Sequence, residues 1–142
     1  MSMSRKIVVL GGTGLIGSKA VALLRKAGHD AVVASPSQGI DSMTGKGLDA
    51  AMAGADAVID VSNLMSFEEQ VIRNFFATSS RNLTTAEKAA GVRHHVVLSV
   101  VGTDDLAANP YLSGKQVQEE TVRSSGQDYT IVRATQFFEF MG

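Results

Sequence analysis

Tyr111 and Lys115 stand four residues apart and are the pair in this sequence best suited to proton chemistry. On a helix they share one face, one turn apart. An ammonium beside a phenol favours the phenolate and lowers a pKa that starts at about 10, so the tyrosine exchanges a proton with a carbonyl or an alcohol near neutral pH. Ser99 lies upstream, near the C-terminal end of an apolar run. In an open α/β sheet that end faces the ligand crevice, where its hydroxyl would bind the same oxygen. The assignment is Tyr111 as general acid/base, Lys115 as its electrostatic tuner and Ser99 as the residue that orients substrate.

A second chemistry is written in the stretch KIVVLGGTGLIG, residues 6–17. Ile7, Val8, Val9 and Leu10 form the short apolar run of a strand covered on both faces. Gly12, Gly14 and Gly17 follow at G-x-G-x-x-G spacing, and residues 15–27 carry helix formers with an apolar stripe at Ile16, Ala20, Leu23, Leu24 and Ala27. Between a strand and a helix, the first glycine permits a tight turn, the second lets the backbone approach a pyrophosphate, and the third lets the helix pack on the strand. The phosphates then meet free N–H groups at a helix N-terminus. Gly11, Gly12, Thr13, Gly14, Leu15, Ile16 and Gly17 are the expected cradle of a dinucleotide, with Lys115 an anchor for its ribose.

The adenosine end is read from the close of the second apolar run, residues 31–34. A site for NAD usually places Asp or Glu there, to bind both ribose hydroxyls. This chain has Ser35, Pro36 and Ser37 instead, with Asp30 at the wrong end of the strand and Asp41 further along. Nothing there repels a 2′-phosphate and two hydroxyls can donate to it, so the expected cofactor is NADP, with NAD as the alternative. The other reading of Ser35 and Ser37 is a turn shaped by their side chains. Asn63, with Asp60 and Ser62, closes a further strand and either walls a ribose or caps the strand end.

The elements that must position these residues alternate regularly. A third strand is expected at residues 40–41, a short helix at 47–53, a fourth strand at 57–61, a fifth at 95–101 and a sixth at 129–133. Ser66 and Glu69 form a capping box for a long helix over 67–90, ended by Gly91. Asn109 as N-cap and Pro110 at the first position open the helix that carries Tyr111 and Lys115. Strands alternating with crossover helices predict an α/β fold: one doubly wound, Rossmann-type parallel sheet over residues 1–142. Val71, Phe75, Phe76 and Leu83 on the long helix are either a homodimer face or sheet-packing core. Phe137, Phe138 and Phe140 either line a pocket or cover the sheet. His94 and His95 begin a strand away from the crevice and are assigned no function.

The 13 basic and 14 acidic residues nearly cancel, without a basic block, so nothing electrostatic points to nucleic acid. No cysteine is present, which excludes disulfides and thiolate chemistry, and no metal site is expected. Without an apolar segment long enough for a membrane or a secretion signal, the expectation is a soluble, cytoplasmic protein acting on a small molecule.

GGTGLIG after the first strand, a serine-ended fifth strand, YLSGK from Tyr111 to Lys115 and YTIVR from Tyr129 to Arg133 together resemble the short-chain dehydrogenase/reductase superfamily. The GGTGxxG form and the ending VRATQFFEF are most similar to its atypical, NmrA-like or NAD(P)H-binding branch. The resemblance implies a nicotinamide dinucleotide across the C-terminal edge of the sheet, with Ser99, Tyr111 and Lys115 at the superfamily's catalytic positions. Family members continue beyond the strand at 129–133 to build most of the substrate pocket, so a truncated product or a binding half that lacks that portion is expected here. Two function classes follow. One is an NADP-dependent oxidoreductase acting on a carbonyl, quinone or similar electrophile; the other is a non-catalytic dinucleotide sensor or regulatory interaction protein.

Overall fold

Each apolar run becomes a strand of one parallel sheet. The computed structural model describes residues 4–12, 14–64, 68–100 and 110–134. Strand β1 (Lys6–Leu10) leads into helix α1 (Leu15–Lys26), β2 (Asp30–Ala34), a 3-10 turn (Pro36–Gln38), α2 (Leu48–Met52) and β3 (Ala57–Asp60). Then come α3 (Glu69–Ala90), β4 (His94–Val100), α4 (Pro110–Arg123) and β5 (Tyr129–Ala134). The sheet order is β2-β1-β3-β4-β5, with every pair parallel.

The apolar runs are continuous because both faces of the sheet are covered. Val8, Leu10 and Val58 face Met52 and Leu83 in one cluster, while Ile7, Val9 and Ala31 face Val21 of α1 in another. Phe76 and Leu83 belong to the core at 0% exposure, whereas Val71 is 43% exposed. The chain leaves β1 toward β2 on one side and later returns to β3 on the other. The strand order therefore reverses at β1, and a crevice opens at the C-terminal ends of β1 and β3. Leu10 pairs with Ala34 and with Asp60, so these ends are level with one another.

Two expectations are corrected. Residues 40–41 form no strand, and the sheet has five strands among the described residues. The Asp41 amide donates to Lys46 O at 2.8 Å and Asp41 Oδ1 accepts from Met43 N at 2.8 Å, so local turn bonds take the groups a ladder would need. The long helix begins at Glu69, with Glu68 as an extended N-cap that makes no side-chain capping bond. Glu69 is thus the first helical residue and cannot close a capping box; Ser66 lies outside the described residues, as do Asn109 and the three C-terminal phenylalanines. No helix among the described residues is long and apolar enough to cross a membrane.

Candidate functional site

The glycines after β1 are needed for different reasons. Gly11 has φ of 82°, and a Cβ on it would lie 2.9 Å from the backbone nitrogen of Ser62. A Cβ at Gly17 would overlap the Gly11 carbonyl oxygen, so only glycine lets the first turn of α1 sit against the loop. Gly14 differs. Its φ of −75° and ψ of 176° suit any residue, and its Cβ would make only an ordinary 3.4 Å contact. Packing among the described residues therefore does not require glycine at position 14, but a molecule seated against the loop would. The first amides of α1 have no intrahelical acceptor, and its first turn carries no acidic side chain to repel an anion. Thr13 lies outside the described residues.

The loop and the expected dyad share one groove of about 180 Å³. Gly11, Gly14, Leu15, Ile16 and Gly17 form one wall, and Ser62, Asn63, Leu98, Tyr111 and Lys115 the other. Lys115 is 2% exposed; its Nζ donates to the Leu98 carbonyl at 2.8 Å and stands 4.7 Å above the centroid of the Phe76 ring. Burial pushes its pKa down to about 8, opposed by the charges of Asp60 and Glu119. The Tyr111 phenol hydrogen-bonds the Asn63 side chain, whose Oδ1 accepts from the Leu64 amide.

The lysine does not lower the phenol pKa, contrary to expectation from the spacing. Burial pushes Tyr111 up to about 12, against a smaller downward pull from Asn63. The Lys115 ammonium is directed instead to β4 and to Phe76. Ser99 is also corrected in its orientation: it is 0% exposed and its hydroxyl donates to Glu119 Oε2 at 2.6 Å. Ser99 faces α4, as Tyr111 and Lys115 require, but the α4 side chain it meets is Glu119, one turn beyond Lys115, while Leu98 offers Lys115 its backbone carbonyl.

Behind the groove lies a buried polar layer of which the sequence reading found only part. Glu119, its side chain 1% exposed, accepts from Ser99, from Arg133 Nη2 at 2.6 Å and from Arg123 Nη2 at 3.0 Å. Burial works to raise its pKa, but the bonds from Arg133, Ser99 and Arg123 hold it below the usual carboxylate value. Asp60, 0% exposed, accepts from Ser62 N at 3.0 Å, from the Ser62 hydroxyl and from Gln118 Nε2 at 3.3 Å. The spacing of Lys115, Gln118 and Glu119 on one helix was a signal available in the sequence. At the other end of β4, His95 Nδ1 pairs with Glu87 Oε2 at 2.6 Å in the core. Burial opposes the His95 charge, yet the Glu87 bond and the nearby carboxylates raise its pKa.

A second cavity, of about 580 Å³, adjoins the groove and shares Gly11, Ser62 and Asn63 with it. Ser35, Pro36, Ile40, Asp41 and Phe75 are among the residues around it. Ser35 Oγ lies 2.9 Å from Ser37 Oγ, so the two hydroxyls hold each other. No lysine or arginine lines the cavity among the described residues, and Asp41 is its carboxylate.

Residues 11–139 match the profile of a family described as NAD(P)H-binding. The chain is 31% identical over 149 residues to the NAD(P)H azoreductase of Xenophilus azovorans, covering 94% of this chain and 49% of that protein. It is 29% identical over 144 residues to the (4-alkanoyl-5-oxo-2,5-dihydrofuran-3-yl)methyl phosphate reductase of Streptomyces griseus, covering 92% of this chain and 48% of that one. Among solved structures, a short-chain dehydrogenase/reductase superfamily protein from Agrobacterium tumefaciens with bound NAD superposes with a TM-score of 0.75 at 25% identity, over 91% of this chain and 48% of that chain. The chain thus spans about half the length of the curated relatives it matches.

Proposed function

The chain belongs to the NAD(P)H-binding family, of the atypical short-chain dehydrogenase/reductase type, and from this we propose that it is an NADP-dependent reductase of a carbonyl, quinone or similar small electrophile. The observation that supports the reading is a single groove whose one wall is an anion cradle and whose other wall carries Tyr111 and Lys115. The fit to a dinucleotide rests on Gly14, which leaves room against the loop that the described residues do not fill.

In this reading the amides of residues 11–17, Thr13 included, hold the pyrophosphate. Lys115 and Asn63 bind the nicotinamide-side ribose. The adenosine takes the larger cavity, with Ser35 and Ser37 toward the 2′-position. The bound dinucleotide supplies hydride. Tyr111 supplies the proton to the substrate oxygen, and a phenol pushed up to about 12 is fully protonated at neutral pH, which suits a donor better than a base. Ser99 is assigned to the support of the site through Glu119 and not to substrate contact.

A second reading, a dinucleotide-binding sensor without turnover, is favoured by the same Ser99 orientation, because the Ser99 hydroxyl then does not pair with Tyr111 on the substrate. One experiment separates the two: calorimetric titration with NADPH and NADH, followed by NADPH consumption with a panel of quinones and aldehydes. Binding with turnover supports the reductase, binding without turnover supports the sensor, and absence of binding overturns both.

A further inference from the structure

Phe76 sits in the middle of α3, is 0% exposed and does not line the groove. Its ring nevertheless touches both chemistry-bearing side chains of α4. Lys115 Nζ stands 4.7 Å above the ring centroid, and the Tyr111 ring meets it at 6.2 Å between centroids with an interplanar angle of 78°. Phe75 braces it from its own helix, at 5.1 Å and 74°. Between Tyr111 and Lys115 lies Gly114, where a Cβ would come 2.9 Å from Phe76 Cδ2 and overlap Ile72 Cγ2. The bare backbone at Gly114 is what lets α4 settle on this ring.

A buried ammonium needs compensating partners. The groups that face Lys115 are the Leu98 carbonyl from β4, the Asp60 carboxylate from β3, the Glu119 carboxylate from its own helix, and Tyr111 one turn earlier. On the side toward α3, among the described residues, the contact recorded for the ammonium is the face of Phe76, whose quadrupole attracts a cation. A leucine there would fill space without attracting the ammonium.

We propose that Phe76 is a positioning residue of the site: its ring holds the Lys115 ammonium face-on and packs against Tyr111, so that α3 sets the place of both side chains without reaching the groove. The placement stands on geometry alone; its consequence for cofactor rests on the proposed function. The test is direct. The Lys115 ammonium of the cofactor-free chain is titrated by NMR with nitrogen-labelled lysine, its signal identified by its loss in Lys115→Met. Replacing the Phe76 ring by its trifluorinated analogue, nearly the same shape with a weakened quadrupole, is expected to lower the Lys115 pKa by about half a unit or more, and Phe76→Leu by at least as much. Ile72→Ala, an equally buried neighbour, is expected to lower stability and leave the titration unmoved. A folded trifluorinated variant titrating like the parent would overturn the proposal even if Phe76→Leu does not fold. NADPH titration runs in parallel: if the parent binds none, the cofactor reading fails, while the lysine titration still decides the role of Phe76.

Discussion

The Ser99 hydroxyl donates to Glu119 Oε2 at 2.6 Å, one turn along α4 from Lys115, and so is spent on a buried carboxylate and does not line the groove. A serine placed by its position on the strand for substrate contact is instead one of three donors to a buried carboxylate. Ser99→Ala is therefore expected to cost about 1–3 kcal/mol of stability, the range for leaving a buried acceptor short of a donor. NADPH affinity should stay close to the parent's. Chemical denaturation beside cofactor titration checks both, and a stable variant with lost turnover would restore Ser99 to the substrate.

Glu119 gives a pH signature. Its pKa is lower folded than unfolded, so it contributes stability above the unfolded value of 4.5, which is lost as pH falls through the folded pKa. Glu119→Gln should flatten the stability-against-pH curve below about pH 4.5, where the parent's falls. Urea midpoints measured from pH 3 to 7 would show it.

Gly14 and Gly17 should separate folding from binding. Gly17→Ala forces a methyl into the Gly11 carbonyl and is expected to destabilise the chain by about 2–3 kcal/mol. Gly14→Val fits the backbone as it stands, and is expected to fold with a melting temperature close to the parent's yet to bind neither NADPH nor NADH. Retained binding in that variant would remove the cradle assignment.

Lys115 and Tyr111 predict distinct pH profiles. Burial holds the lysine at about 8 against an ordinary 10.5, so its charge opposes folding below pH 8, and the opposition is relieved between pH 8 and 10.5. Relative to Lys115→Met, the parent should gain stability across that window, on the order of 3 kcal/mol. In the same reading kcat for reduction stays flat through neutral pH because the phenol keeps its proton, while KM for the cofactor rises above about pH 8 as Lys115 loses its charge. Tyr111→Phe should lower kcat by about 10²-fold or more with cofactor affinity nearly unchanged.

Ser35 tests the choice of dinucleotide. NADPH is expected to bind more tightly than NADH, and Ser35→Asp to reverse the order by placing a carboxylate where a 2′-phosphate would sit. A parent that prefers NADH, with that preference lost in Asp41→Ala, would transfer the ribose to Asp41, which lines the same cavity.

The sequence alone determined the sheet and the loop. Continuous apolar runs at residues 7–10, 31–34 and 57–59 require cover on both faces, glycine spacing marks a strand-to-helix turn, and Tyr111 and Lys115 share a helix face; each is a local property set by backbone sterics and period. Residues 40–41 misled because two residues carry too little pattern, and the turn bonds of Asp41 decided their conformation. Only tertiary structure decided which way a strand-end side chain points and what surrounds a charge. Ser99 faces Glu119 because the register of β4 against β5 brings Arg133 to the same carboxylate. Lys115 faces Leu98 and Phe76, and so does not act on the phenol, because α4 rests on α3 at Gly114. A pKa depends on the distance and burial of partners far apart in the chain, and spacing along one helix cannot encode either.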